Sequence, residues 1–157
     1  MQAAGSGYEA GRVLYMALEL SNRSWRLGFS NGAKIRQKTV EARALERVLA
    51  EIELAKQKLG VEPGARVVAC YEAGRDGHWI YRWLRSVGVE VLVIDSSSIE
   101  RAQGRKHVKT DGVDVERLLD LLIRYCMGLR RGMRVVRVPD EAAEAAHQIV
   151  VLVVALD

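Results

Sequence analysis

Apolar and polar positions first alternate in short bursts along this chain, then switch to a helical beat. Val13–Leu20 is apolar and rich in strand formers, with Glu19 near its end. Ser21-Asn22-Arg23 is a turn, and Ser24–Ser30 reads as a second strand. Asn31-Gly32 between alternating runs is a strong hairpin signal, so residues 34–40 are predicted as a third, antiparallel strand. Over residues 41–59 the period becomes helical. Leu45, Val48, Leu49, Ile52 and Leu59 form the apolar stripe, and Gly60 follows as a stop. Pro63-Gly64 turns the chain into residues 66–71, a buried-type strand that ends in Glu72. Residues 73–77 form a loop and residues 78–87 a helix carrying Trp79, Tyr81 and Trp83; Gly88 breaks it. Residues 89–94 are another continuous apolar strand, ended by Asp95-Ser96-Ser97-Ser98. A basic connector over 99–109 leads into a helix from Asp111 to about Cys126. A basic turn over 128–132, an extended stretch over 134–138 and a helical pattern over 140–155 complete the chain.

The order β-β-β-α-β-α-β-α describes an antiparallel meander followed by two strands of parallel type. It predicts an α/β sandwich with a mixed sheet flanked by helices. Ligands in such sheets collect at the carboxyl ends of strands. Glu19 and Glu72 both fall at or near such ends.

Composition narrows the class. With 157 residues, 49% hydrophobic and 28% charged, the chain is long and apolar enough for one globular domain with a real core. A net charge of +4 is compatible with nucleic acid and equally with many cytosolic proteins. Cys70 and Cys126 are far apart and belong to no Cys/His cluster, which predicts reduced core thiols. Residues 1–11 are small and polar and lack the apolar core of a secretory signal, so a flexible N-terminus and a cytoplasmic location are expected. The apolar run at 149–156 is too short for a bilayer, which needs about 20 residues.

The candidate chemistry centres on Lys106-His107-Val108-Lys109-Thr110-Asp111-Gly112-Val113-Asp114. Asp111 and Asp114 are three apart, so on a helix their Cβ atoms lie roughly 5–6 Å from one another. The same face continues through Val115, Leu118, Leu122 and Cys126, which sets both carboxylates at the top of an inward stripe. A divalent metal is one resolution of that charge; a helix cap is the other, and one residue can serve as both. Glu19 and Glu72 from two strands join them in a set of four acids. Phosphoryl transfer on nucleic acid uses two divalent ions roughly 3.5–4 Å apart, and hard oxygen ligands from several elements suit Mg²⁺ or Mn²⁺.

At these residues the chain resembles the RuvC-like (RNase H-like) catalytic domain of DEDD-type insertion-sequence transposases, the bridge-RNA-guided recombinases. The matching residues are Tyr71-Glu72-Ala73-Gly74 with Arg75-Asp76-Gly77, the helix with Trp79 and Trp83-Leu84, Lys109-Thr110-Asp111-Gly112-Val113-Asp114, and Val136-Arg137-Val138-Pro139. The resemblance implies a RuvC-like domain over residues 12–138 and a C-terminal helix over 139–157. It also implies that Glu72, Asp111 and Asp114 are the second, third and fourth catalytic, metal-binding acids. The family's first acid is an Asp, and Glu19 stands in its place with one extra methylene. Such sites hold their groups to within about 0.5 Å, so that change bears directly on catalysis.

The family continues into a second domain with a catalytic serine; this chain ends at Asp157 with no serine in a matching context, so a truncated or frameshifted copy is expected. The implied partners are DNA, a structured guide RNA, and a further copy or full-length transposase. Arg101, Arg105, Lys106 and Lys109 would contact phosphates beside the acids. Arg130, Arg131, Arg134 and Arg137 form a second basic group. Trp79 and Trp83, one helical turn apart, read as core packing, and His78 and His107 as surface residues. The expected function is DNA strand cleavage and joining in transposition. The alternatives are a non-catalytic nucleic-acid-binding regulator and a stand-alone junction-resolving nuclease.

Overall fold

The computed structural model describes residues 11–74, 78–95, 114–129 and 135–136. Six strands form one mixed sheet: β1 (Val13–Leu20), β2 (Ser24–Ser30), β3 (Ile35–Glu41), β4 (Arg66–Glu72), β5 (Glu90–Ile94) and the two-residue β6 (Val135–Val136). Their order is β3-β2-β1-β4-β5-β6. The meander β1-β2-β3 is antiparallel, β4 and β5 join β1 in parallel, and β6 returns antiparallel. The helices are α1 (Leu45–Leu59), α2 (Trp79–Ser86) and α3 (Val115–Cys126). The α/β class with a mixed sheet is therefore observed.

Alternation along the strands divides the core in two. Leu14, Met16 and Leu18 of β1, Trp25, Leu27 and Phe29 of β2, and Ala69 and Tyr71 of β4 face one side, with α1 and α2 packed on them. Val13, Tyr15 and Ala17 with Val68, Cys70 and Ile94 face the other side, covered by Val115, Leu118, Leu119 and Leu122 of α3. Trp79 and Trp83 are half-buried against the first core, as their spacing predicts. Cys70 is buried and Cys126 half-buried, and neither is in a disulfide.

Two local differences from the sequence reading have simple causes. The helix predicted from residue 41 begins at Leu45, because β3 runs on through Glu41 in its ladder with Ser24. Leu49, placed on the apolar stripe, is instead exposed; Ala55 takes its place among Val48, Ile52 and Leu59. The Asn31-Gly32 hairpin forms as expected, with a four-residue loop. Asn31 explains this: its Oδ1 accepts from the Ala33 and Lys34 N–H groups, both at 2.8 Å, and its Nδ2 donates to the Leu59 carbonyl at 2.8 Å. Gly60 closes α1 at φ 69°, a conformation glycine adopts without penalty.

Polar groups buried in α1 are matched. Glu51 meets Arg36 of β3 at 3.2 Å and Arg47 at 3.5 Å. Lys56 donates to the Pro63 carbonyl at 2.7 Å. Between β3 and α1, Arg43 is the one non-glycine residue at positive φ among those described, at 67°. For an L side chain that conformation costs roughly 1–2 kcal/mol.

Candidate functional site

Strand register determines where the strand acids stand. β1 and β4 pair in parallel through Leu18 and Tyr71, so the next residues, Glu19 and Glu72, continue the same register. Adjacent strands lie about 4.8 Å apart. Leu18 and Tyr71 face the α1/α2 core, so alternation turns Glu19 and Glu72 to the α3 side of the sheet. Both are half-buried. Ladder pairs extend the row in both directions, with Ile94 beside Glu72 and Arg26 directly opposite Glu19, followed by Thr39. The Arg26 guanidinium is exposed and donates to the Thr39 hydroxyl at 3.0 Å. Two carboxylates one strand apart repel unless positive charge stands near them, and Arg26 supplies one such charge.

Helix α3 crosses this face over β1, β2 and β4. Its path is set by small residues beneath it: a Cβ added to Gly28 would stand 3.0 Å from the Val115 Cβ and 3.1 Å from Leu119 Cδ1. Cys70 Sγ meets the Leu118 carbonyl at 3.6 Å, and burial pushes its thiol far up, leaving it protonated. Gln37 donates to Glu116 at 3.0 Å, which ties the first turn of α3 to β3. Gly28 pairs with Ala17, two residues or about 7 Å before Glu19 along β1. The N-terminal turn of α3 therefore lies towards the acid end of β1.

Asp114 is the N-cap of α3, accepting from the Arg117 N–H at 3.0 Å. It is exposed, so the expectation of an inward side chain at the top of the stripe does not hold for it. Capping explains this, since an N-cap residue is not yet helical and its side chain turns back over the helix end. Val115, Leu118 and Leu122 are buried as expected. Asp111 and the basic residues Arg101, Arg105, Lys106 and Lys109 lie outside the described residues, as do Arg130, Arg131, Arg134, Arg137 and the helix expected over 140–155. Glu19 and Glu72 thus share the α3 face, and Asp114 stands at the start of the helix that covers it. Among the described residues no three His, Cys, Asp or Glu side chains gather as a group that could hold a metal ion.

Sequence reasoning missed Arg26. The turn closed by Ser21 and Ser24, centred between Asn22 and Arg23, pairs it with Glu19, so counting out from that turn was the available signal.

Among proteins of known description, the chain is 32% identical over 142 residues to "Putative transposase y4rJ" of Sinorhizobium fredii. That similarity covers 87% of this chain and 36% of the relative. It is 41% identical over 85 residues to "Putative transposase y4qE" of the same organism, covering 54% of this chain and 20% of the relative. It is 33% identical over 81 residues to "Transposase for insertion sequence element IS1533" of Leptospira borgpetersenii, covering 50% and 23%. All three of these similar proteins are named as transposases. It spans about a third of the length of the first of these relatives. No family model and no solved structure matches it. Among the described residues, no helix is long and apolar enough to cross a membrane.

Proposed function

We propose that this chain is the RNase H-like, RuvC-like domain of a DEDD-type transposase. In this reading Glu19, Glu72, Asp111 and Asp114 hold Mg²⁺ or Mn²⁺ for cleavage and joining of DNA strands. The observation that carries the reading is the shared register of Glu19 and Glu72 at the carboxyl ends of β1 and β4, on the face that α3 covers. The transposase names of the relatives support it independently. The donor set fits such an ion: carboxylate oxygens are the hard ligands that Mg²⁺ and Mn²⁺ take. When bound, the ion would lend Lewis-acid charge to phosphoryl oxygens. Glu19 and Glu72 would hold it from the sheet, with Arg26 across from Glu19, and Asp114 at the N-cap of α3 and Asp111 would complete the set. Arg101, Arg105, Lys106 and Lys109 would hold the phosphate backbones of DNA and of a structured guide RNA. A further copy of the chain or full-length transposase is the protein partner this reading expects.

The cap at Asp114 favours a second reading, a nucleic-acid-binding regulator that takes no metal. Thermal melts with and without Mn²⁺ separate the two. At one hundred times its dissociation constant a bound ion stabilises the fold by about 2.7 kcal/mol. The rise is expected in the wild type and absent in Glu72→Gln and in Asp111→Asn/Asp114→Asn. Asn preserves the cap whereas Ala removes it at a cost of about 1 kcal/mol. Asp114→Asn alone should therefore match the wild type without metal and fall below it with Mn²⁺. A wild type that melts identically with and without Mn²⁺ overturns the metal reading and leaves the regulator.

A further inference from the structure

Arg43 occupies a place that its backbone does not suit. It is the third residue of a turn closed by the Ala44 N–H donating to the Glu41 carbonyl at 3.1 Å. With φ at 67°, this is a position where turns favour glycine or asparagine. The guanidinium carbon lies 5.6 Å from the Trp79 ring centroid. Trp79 in turn is braced by Trp25, with ring centroids 6.0 Å apart. An exposed cation–π contact is a weak interaction that offsets only part of such strain. The side chain is exposed and makes no ion pair among the described residues, so its planar set of donors faces outward. Strained residues of this kind persist where the surrounding structure over-determines them, as at binding sites.

Its neighbours share its charge. The Ala42 N–H donates to the Arg23 carbonyl at 3.0 Å, so the turn holding Arg43 closes against the β1–β2 turn. Arg23 and Arg26 are both exposed, and Arg26 stands opposite Glu19. Glu41 and Glu46 lie on the same rim, and neither is ion-paired with Arg43. Three exposed arginines thus stand at this end of the sheet: Arg26 opposite Glu19, Arg23 in the β1–β2 turn, and Arg43 beside that turn over the Trp79 ring.

We propose that Arg26, Arg23 and Arg43 form a track for the phosphate backbone of duplex DNA, with Trp79 positioning the Arg43 fork. The choice of DNA rests on the transposase reading above; the anion site itself rests on the rim. A guanidinium suits this task because its planar donors match phosphate geometry.

The test is fluorescence anisotropy of a labelled DNA duplex of mixed sequence, titrated with the full chain over a range of KCl concentrations. Arg43→Gly removes the guanidinium and relieves the turn, so it should melt no lower than the wild type yet bind more weakly. The slope of log affinity against log salt should become shallower by about 0.9, as expected when one phosphate is no longer neutralised. Arg43→Ala should weaken binding to the same degree. Lys58→Ala serves as the control: it removes one exposed charge at the far end of α1, beside the β2–β3 loop that Asn31 ties to Leu59. It should leave the slope unchanged.

Wild-type binding that Arg43→Gly does not weaken, or that Lys58→Ala weakens equally, overturns the track and leaves the transposase reading intact. Weakening confined to a structured RNA overturns DNA as the occupant. A wild type that binds no duplex at any salt concentration removes both the track and its DNA-binding premise, while the metal melts above test the acids separately.

Discussion

The two faces of the sheet are built for different ends. The face under α1 and α2 carries Trp25, Phe29 and Tyr71 with a continuous aliphatic layer, and its buried charges, Glu51 and Lys56, are matched within or beside α1. The face under α3 is smaller, narrows to Gly28 and Ala17 beneath the helix, and runs out into Glu19 and Glu72. Apolar burial scales with area, so the first face supplies most of the stability. The second gives up part of that burial to carry carboxylates at its end. One strand serves both purposes: successive residues of β1, Leu18 and Glu19, belong to different faces.

The largest expected effect breaks the stabilising face. Trp25 is fully buried and touches Trp79, so Trp25→Ala should cost about 3–5 kcal/mol in a denaturant or thermal melt. A drop of under about 1 kcal/mol would show that the first face is not the main support.

A smaller effect tests the second face. Gly28→Val would drive side-chain atoms into Val115 and Leu119, costing about 1–3 kcal/mol by overpacking. Because the clash lies under the first turns of α3, the same variant should also weaken any Mn²⁺-dependent rise in melting temperature. Intact metal response in a destabilised Gly28→Val protein would mean that the α3 end does not contribute to the site.

The smallest effect lies at the opposite end of the sheet. Arg66 donates to Glu90 at 2.8 and 2.9 Å. That bond holds the Glu90 carboxyl below its ordinary value and the Arg66 guanidinium above its own. A carboxyl with a lowered folded-state value contributes stability above its unfolded titration point and loses it as pH falls through the folded value. Both side chains are about half exposed, so screening keeps the contribution within about 1 kcal/mol. Glu90→Gln should cost no more than that at neutral pH and should flatten the acid limb of the stability profile. An unchanged acid limb would show that other carboxylates govern it.

Much of this molecule was legible along the chain. The boundaries of β1 and β2 follow directly from runs of strand formers ended by Ser21-Asn22-Arg23 and Asn31-Gly32. The stripe of α3 follows from period 3.6 in Val115, Leu118 and Leu122. The exposure of Leu49 and the late start of α1 are not legible there, because exposure and strand pairing depend on partners distant in the sequence. Arg43 escaped notice for the same reason: nothing local marks a residue whose conformation is held by two turns closing on each other and a ring over thirty positions away.

The sequence by itself determined the kinds and order of the elements, since periods of 2 and 3.6 are properties of neighbouring residues. It also singled out Glu19 and Glu72 as acids at strand ends. Only the tertiary structure decided that these two share a face and that Leu49 is left exposed. Those outcomes depend on register and packing between segments far apart in the chain, where a slip of one residue would send every side chain to the other face.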